Sequence, residues 1–373
     1  MTKGKPIQVS IESPHDEALI TLCEQIRQCE IDNSAARPWP AHQLDLIGKA
    51  GVYRWFATKA HGGLERAGSD IVEGYIQLAS ACLTSTFVVT QRVAAIRRIC
   101  NSPNDELRER LAPKLLTGER SATVGISHLT TSRRHIKRPV LRAKKLEQTD
   151  RFQVDGFSPW VTGACGADYI VMGAEFEDAT PDNLGGQQIL FAVERDAKGV
   201  SVEPGFNLVG LTASQTGQVK CDSVIVNDAM KIAGPCPNVL ATVTGNSTGG
   251  IQTSALALGL AKSAVDFLAD QVEQRSGLSP TQTALEEQFE STKANLKQLA
   301  DGVPVCSNEQ VRTEANSLVL RATQAALVAA KGTGYVAGHP VGRWCQEALF
   351  FLVWSCPQAV VDANLCELAG IES

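Results

Sequence analysis

The chain has 373 residues, 43% of them hydrophobic and 20% charged, with a formal net charge of -5. That balance suits a soluble globular protein of two or three domains and offers no basic footprint for nucleic acid or for an acidic membrane surface. No apolar run reaches bilayer-spanning length, and the opening Met1-Thr2-Lys3-Gly4-Lys5-Pro6 has no apolar leader segment.

In chain order, residues 16–27, 41–50, 70–80 and 104–116 carry apolar side chains at three- and four-residue spacing and are predicted helices. Short runs rich in β-branched and aromatic residues follow at 152–157, 168–172, 188–193 and 219–226. Turn residues such as Asp155-Gly156, Gly163, Gly185-Gly186 and Gly210 punctuate them, which predicts a small antiparallel, barrel-like β domain. Helical spacing then returns over 252–275, 281–301, 308–331 and 343–368. Ser279-Pro280 marks a start, and Gly302 and Gly332 mark stops. The predicted fold class is mostly α with a central β domain.

Eleven cysteines, an odd number without a CxxC pair, read as reduced cytoplasmic thiols, most of them small core residues. The six histidines never fall at metal-ligand spacing, so no metal is expected. Arg133-Arg134-His135-Ile136-Lys137-Arg138 is the one basic cluster; it is either a solvated loop or a contact for a phosphate-bearing ligand.

Local wording in the same order resembles the acyl-CoA dehydrogenase family of flavoproteins over nearly the whole chain. Pro38-Trp39-Pro40 with 46–52, then His61-Gly62-Gly63-Leu64, is similar to "P..W..L...G" and "YGG.G". Residues 111–119 resemble "yLp.la.Ge", and 157–162 followed by Ala167-Asp168 resemble "G.K.WIT…AD". Residues 210–216 with 224–226 resemble "G.R.S.T…V.VP", and Gly332-Thr333-Gly334-Tyr335 with Pro340-Val341-Gly342-Arg343 resembles "GG.G…P.eR". The resemblance implies an α-helical N-domain (1–120), a β middle domain (121–233) and a C-terminal four-helix bundle (234–373), assembled as a homodimer or homotetramer. It also implies FAD between sheet and bundle, and a small-molecule substrate, an acyl-CoA in most of the family.

Carried over residue by residue, the resemblance makes Trp160 and Thr162 flanks of the flavin ring, one an apolar wall and the other a hydroxyl for a ring heteroatom. Thr130 falls in the strand-end segment that bonds flavin, although the usual "TEP..GSD" reads Thr130-Thr131-Ser132-Arg133-Arg134-His135-Ile136-Lys137 here. Arg275 falls at the "R..FG" arginine, which reaches the pyrophosphate of a neighbouring subunit's FAD. A helix-terminal arginine without that role is the other reading. Gly332 and Gly334 stand for the "GG.G" backbone approach or simply break the helix. Val328 and Pro357 replace a glutamine and a threonine of the pattern.

In the family a glutamate takes the α proton of the acyl thioester, twelve residues after the arginine of "P.eR". Counted from Arg343, that position is Ser355 in the tetrad Trp354-Ser355-Cys356-Pro357. The alternative position on the first bundle helix, ten residues before Gly259, is Gly249. A neutral hydroxyl needs a base of its own before it accepts a proton, so ordinary α,β-dehydrogenation is not expected. Glu347, Asp362, Glu367 and Cys356 are the nearby substitutes, and Cys356 has no cationic neighbour in sequence. Two classes stay open: a flavin-dependent oxidoreductase, including the monooxygenase type that lacks the glutamate, and a non-catalytic binding or assembly protein of the same fold.

Overall fold

The computed structural model describes residues 10–32, 38–130, 139–177, 184–243 and 249–371; the basic cluster at 133–138 lies outside them. The helical N-terminal part comprises α1 (Glu17–Asp32), α2 (Ala41–Lys49), α3 (Gly68–Ala81), α4 (Leu83–Cys100) and α5 (Asp105–Leu116). α4 has no apolar stripe because most of its length is buried on every side, and Thr84, Thr86, Val88, Val89, Thr90 and Val93 make it β-branched.

The sheet is built from β1 (Ala122–Gly125), β2 (Leu141–Lys145), β3 (Phe152–Val161), β4 (Tyr169–Phe176), β5 (Gln188–Glu194), β6 (Val200–Val202), β7 (Gly217–Val226) and β8 (Lys231–Cys236). A four-residue helix, α6 (Ser127–Thr130), follows β1. Strand order is β6-β7-β3-β2-β4-β5-β8, with β1 also on β4. The expected antiparallel sheet is therefore mixed, since β1 and β2 both run parallel to β4. Alternation sorts the core by face: in β4 and β5, Val171, Leu190 and Ala192 join the helical core, while Ile170, Met172, Ile189, Phe191 and Val193 fill a second cluster behind. One face of the sheet thus packs on helices.

The C-terminal part comprises α7 (Gly249–Gln274), α8 (Ser279–Ala300), α9 (Asn308–Gly334), α10 (Pro340–Ala348) and α11 (Gln358–Ala369). α7 is central, packing on α9, α8 and α3. Ser307 caps α9 by accepting from Gln310 N at 3.0 Å, and Pro280 sits in the first turn of α8. The helix expected over 343–368 is broken. A 3-10 turn (Leu349–Leu352) ends α10, Ser355 adopts φ +48°, and α11 starts only after Pro357, which has no N–H to donate and turns the chain away from helix before it. All eleven cysteines are free, but only Cys23, Cys82, Cys100 and Cys221 are buried; the rest are partly covered and Cys165 is exposed, which corrects the core reading for most of them. Among the described residues no helix is long and apolar enough to cross a membrane, and no three His, Cys, Asp or Glu side chains converge as a metal site.

Candidate functional site

β3 slips register against β7 between Ser158 and Val161, a bulge that re-aims the side chain within it. That side chain is Trp160. Trp160 is 48% exposed, which sets it apart from the core tryptophan Trp55, and among the described residues only Phe206 stands edge-on to it, at 4.9 Å between ring centres. Just beyond the strand, Thr162 is buried. Its carbonyl accepts from Thr123 Oγ1 at 2.6 Å, and its hydroxyl pairs with Thr216 Oγ1 at 2.9 Å, which pairs in turn with Ser214 Oγ at 2.8 Å. The turn carrying Ser214 is flanked by left-handed Leu211 (φ +58°) and Gln215 (φ +49°), the strained backbone that functional sites concentrate.

Thr130 closes α6, which packs on β3, and its hydroxyl donates to Ser127 O at 3.0 Å. His128 Nε2 bonds Gly173 O at 2.7 Å, and burial holds the imidazole below its usual range, hence neutral. Ser127 Oγ, His128 Nδ1 and Ser158 Oγ are buried without a hydrogen-bond partner among the described residues. A half-open indole with orphaned polar atoms in the neighbouring turn suits a planar heteroaromatic ligand, so the residues present fit a flavin ring.

Arg275 caps α7 and donates to Gln271 Oε1 and, at 2.6 Å, to Ala329 O in the last turns of α9. α9 kinks two residues later at Lys331, whose φ of +56° and ψ of -149° lie outside the helical region. A Cβ on Gly332 would meet nothing within 4 Å, whereas one on Gly334 would lie 2.6 Å from the Ala330 Cβ, so Gly332 leaves its backbone open and Gly334 serves packing. Trp160 and Thr162 therefore sit together at the C-terminal end of β3, Thr130 lies on α6 beyond the far end of β1, and Arg275, Gly332 and Gly334 share the α7–α9 end. Among the described residues no hydrogen bond or ring contact joins the first of these groups to the last.

Ser355 is exposed in the turn between α10 and α11, and Gly249 is the first residue of α7. Beside Ser355, Trp354 stacks on Phe350 at 4.8 Å, and Phe87 of α4 stands edge-on to both, at 4.9 and 4.8 Å. The three carboxylates within reach in sequence are engaged elsewhere. Glu347 accepts from Thr84 and faces Arg343, Asp362 accepts from Gln358, and Glu367 accepts from Ser317.

Cys356 does have a cation beside it, contrary to the sequence reading: Arg312 Nη2 lies 3.8 Å from its Sγ. Arg312 is buried, so its pKa falls to about 10, and besides Cys356 its guanidinium donates among the described residues to neutral acceptors, Asn316 Oδ1 at 3.0 Å and Trp354 O at 2.9 Å. Asn316 in turn donates to Phe351 O at 3.0 Å, so the pair holds the Ser355 turn in place. Their four-residue spacing on one predicted helix was the only local trace of this role.

By sequence, no family model and no curated protein matches the chain. By structure it is similar to butyryl-CoA dehydrogenase from Megasphaera elsdenii, at 16% identity and a TM-score of 0.79, covering 95% of this chain and 97% of that one. It is also similar to a glutaryl-coenzyme A dehydrogenase in complex with glutaryl-CoA, at 15% identity and TM-score 0.76, covering 96% of each chain. A third likeness is to dibenzothiophene monooxygenase (TdsC) from Paenibacillus sp. A11-2, at 16% identity and TM-score 0.75, covering 96% and 97%. The chain has the acyl-CoA dehydrogenase fold. Because dehydrogenases and a monooxygenase share this fold, the fold alone does not select the chemistry.

Proposed function

We propose that the chain is a flavin-dependent oxidoreductase built like an acyl-CoA dehydrogenase but unable to start α,β-dehydrogenation of an acyl thioester. One observation carries this reading: the half-exposed indole of Trp160 leaves a flat face open at the sheet end, while the turn at Ser355 presents a hydroxyl and no carboxylate. When bound, FAD would supply the electron-accepting ring. Trp160 would lie along it, Ser127, His128 and Thr130 would offer polar atoms to it, and the hydroxyl chain Thr162-Thr216-Ser214 would fix the strand end. Without a base at Ser355, the substrate class shifts from acyl thioesters needing proton removal toward small molecules oxidised without it, as in a monooxygenase-type reaction. Exposed Val328, Tyr335, Val336 and Val353 at the α9 and α10 ends support assembly as a homodimer or homotetramer.

A second reading, a non-catalytic binding or assembly protein, is favoured by Arg275, whose guanidinium is satisfied inside its own chain. Equilibrium dialysis of the purified protein against FAD and against FMN separates the two. Retention of about one flavin per chain is expected, and retention of neither supports the non-catalytic reading.

A further inference from the structure

In the turn between α10 and α11 the fold sets a thiol against a cation that has no counter-ion. Arg312 is 3% exposed, and its Nη2 lies 3.8 Å from Cys356 Sγ. Nε is spent on Asn316 Oδ1 and Nη2 also on Trp354 O, while Nη1 makes no hydrogen bond among the described residues. No carboxylate among those residues pairs with the guanidinium; Glu314 accepts from Gln310 at 3.2 Å and Asp362 from Gln358 at 2.8 Å. A buried guanidinium without an anion is costly, and that cost would stand if residue 356 had no sulfur. The unmet charge is therefore a sign of a ligand that does not depend on the cysteine.

Cys356 is only partly covered and lies between exposed Ser355 and exposed Pro357. Its thiol donates to Phe351 O at 3.2 Å, which leaves the sulfur lone pairs to face the guanidinium. A cation in that place favours negative charge building on sulfur during attack. Two other cysteines show what is special here. Cys165 is exposed and has Arg195 nearby, but that guanidinium is tied to Asp196 by bonds of 2.9 and 2.7 Å, so its charge is already met. Cys82 is buried and lies 3.0 Å from Glu30 Oε2, which repels negative charge on sulfur. Burial pushes the Cys82 thiol well above its ordinary value and raises that of Cys165 as well. Exposure ranks Cys165 as the readiest thiol, whereas charge ranks Cys356.

We propose that Arg312 and Cys356 form a modification site for anionic thiol reagents, with small carboxylate-bearing disulfides as the substrate class. The guanidinium holds the carboxylate of the incoming molecule while Sγ attacks its disulfide. The new Sγ–S bond forms as the S–S bond breaks, and the departing sulfur takes up the thiol proton. One protein thiol and one disulfide thus become one mixed disulfide and one small thiol. Once substituted, Sγ no longer donates to Phe351 O, so the Ser355 turn loses one of its ties. This site is independent of the flavin reading.

Labelling of the reduced full chain with iodoacetate and with iodoacetamide, followed cysteine by cysteine by peptide mass spectrometry, tests it. The two reagents differ by one negative charge. The ratio of iodoacetate rate to iodoacetamide rate is expected to be about tenfold higher at Cys356 than at Cys165. Glutathione disulfide is expected to form its mixed disulfide at Cys356 before Cys165. Arg312→Gln is expected to bring the ratio at Cys356 down to that at Cys165, and Arg312→Lys, which keeps the charge, to retain most of it. Circular dichroism establishes that each variant is folded, and the contrast between two cysteines in one wild-type sample needs no variant at all. Equal ratios at the two cysteines, mixed disulfide at Cys165 first, or an undiminished ratio in folded Arg312→Gln would overturn the proposal.

Discussion

At the end of β3 the Trp160 indole is left half uncovered with one edge-on neighbour, whereas at the α10–α11 turn Trp354, Phe350 and Phe87 close on one another. An open aromatic face keeps apolar area and a quadrupole available to a planar partner, while a closed cluster has already satisfied both within the chain. The difference is more than one exchanged residue. The sheet end keeps an open aromatic face, whereas the turn at Ser355, left-handed at φ +48°, is closed by bulky rings.

The closed wall is the place of largest expected effect. Phe87 is 5% exposed and touches both partner rings, so Phe87→Ala is expected to cost about 3–5 kcal/mol in chemical denaturation. A cost under about 1 kcal/mol would identify the ring as a cover over ligand space, not as core.

The open wall predicts the reverse pattern. Trp160→Ala is expected to leave the unfolding midpoint nearly unchanged and to weaken flavin binding about tenfold, the equivalent of roughly 1.4 kcal/mol. Loss of stability with flavin affinity intact would make the indole a packing residue.

The smallest effect is expected far from both walls. Glu73 of α3 lies 3.2 Å from Lys297 and 3.7 Å from Lys293 of α8. Burial alone would raise its carboxyl, but Lys293, Gln77 and Lys297 outweigh burial and hold it below 4.5. A depressed carboxylate stabilises fully above its unfolded value and loses that contribution as pH falls through the folded one. Glu73→Gln is therefore expected to cost on the order of 1 kcal/mol at neutral pH, a gap that closes as pH drops below 4.5, with flavin affinity unmoved. A pH-independent gap would mean that the charge is not what links the two helices.

Much of this architecture was legible because it is local. The amphipathic spacing of α1, α3 and α7 to α9, and the β-branched and aromatic runs of β3, β4, β5 and β7, are written in short windows. α4 was not, since burial on all sides erases the stripe and its β-branched residues lean toward strand. β2 reads Leu-Arg-Ala-Lys-Lys and β6 spans three residues, too polar or too short to stand out, and parallel pairing with β4 leaves no local mark. The site divides the same way. Trp160 and Thr162 adjoin in one motif, whereas Arg312 meets Cys356 across 44 positions and Glu30 meets Arg343 across most of the chain. Helix packing alone makes those two encounters. Pro357 held a readable signal, for a proline after Ser355 already argued against a continuous helix over 343–368.

The most direct test of the central claim is the visible spectrum of the flavin-loaded protein during anaerobic addition of butyryl-CoA. A flavin band that persists unbleached is the predicted result. Rapid bleaching would contradict the account, because it would require a proton acceptor over the substrate that the Ser355 turn does not provide.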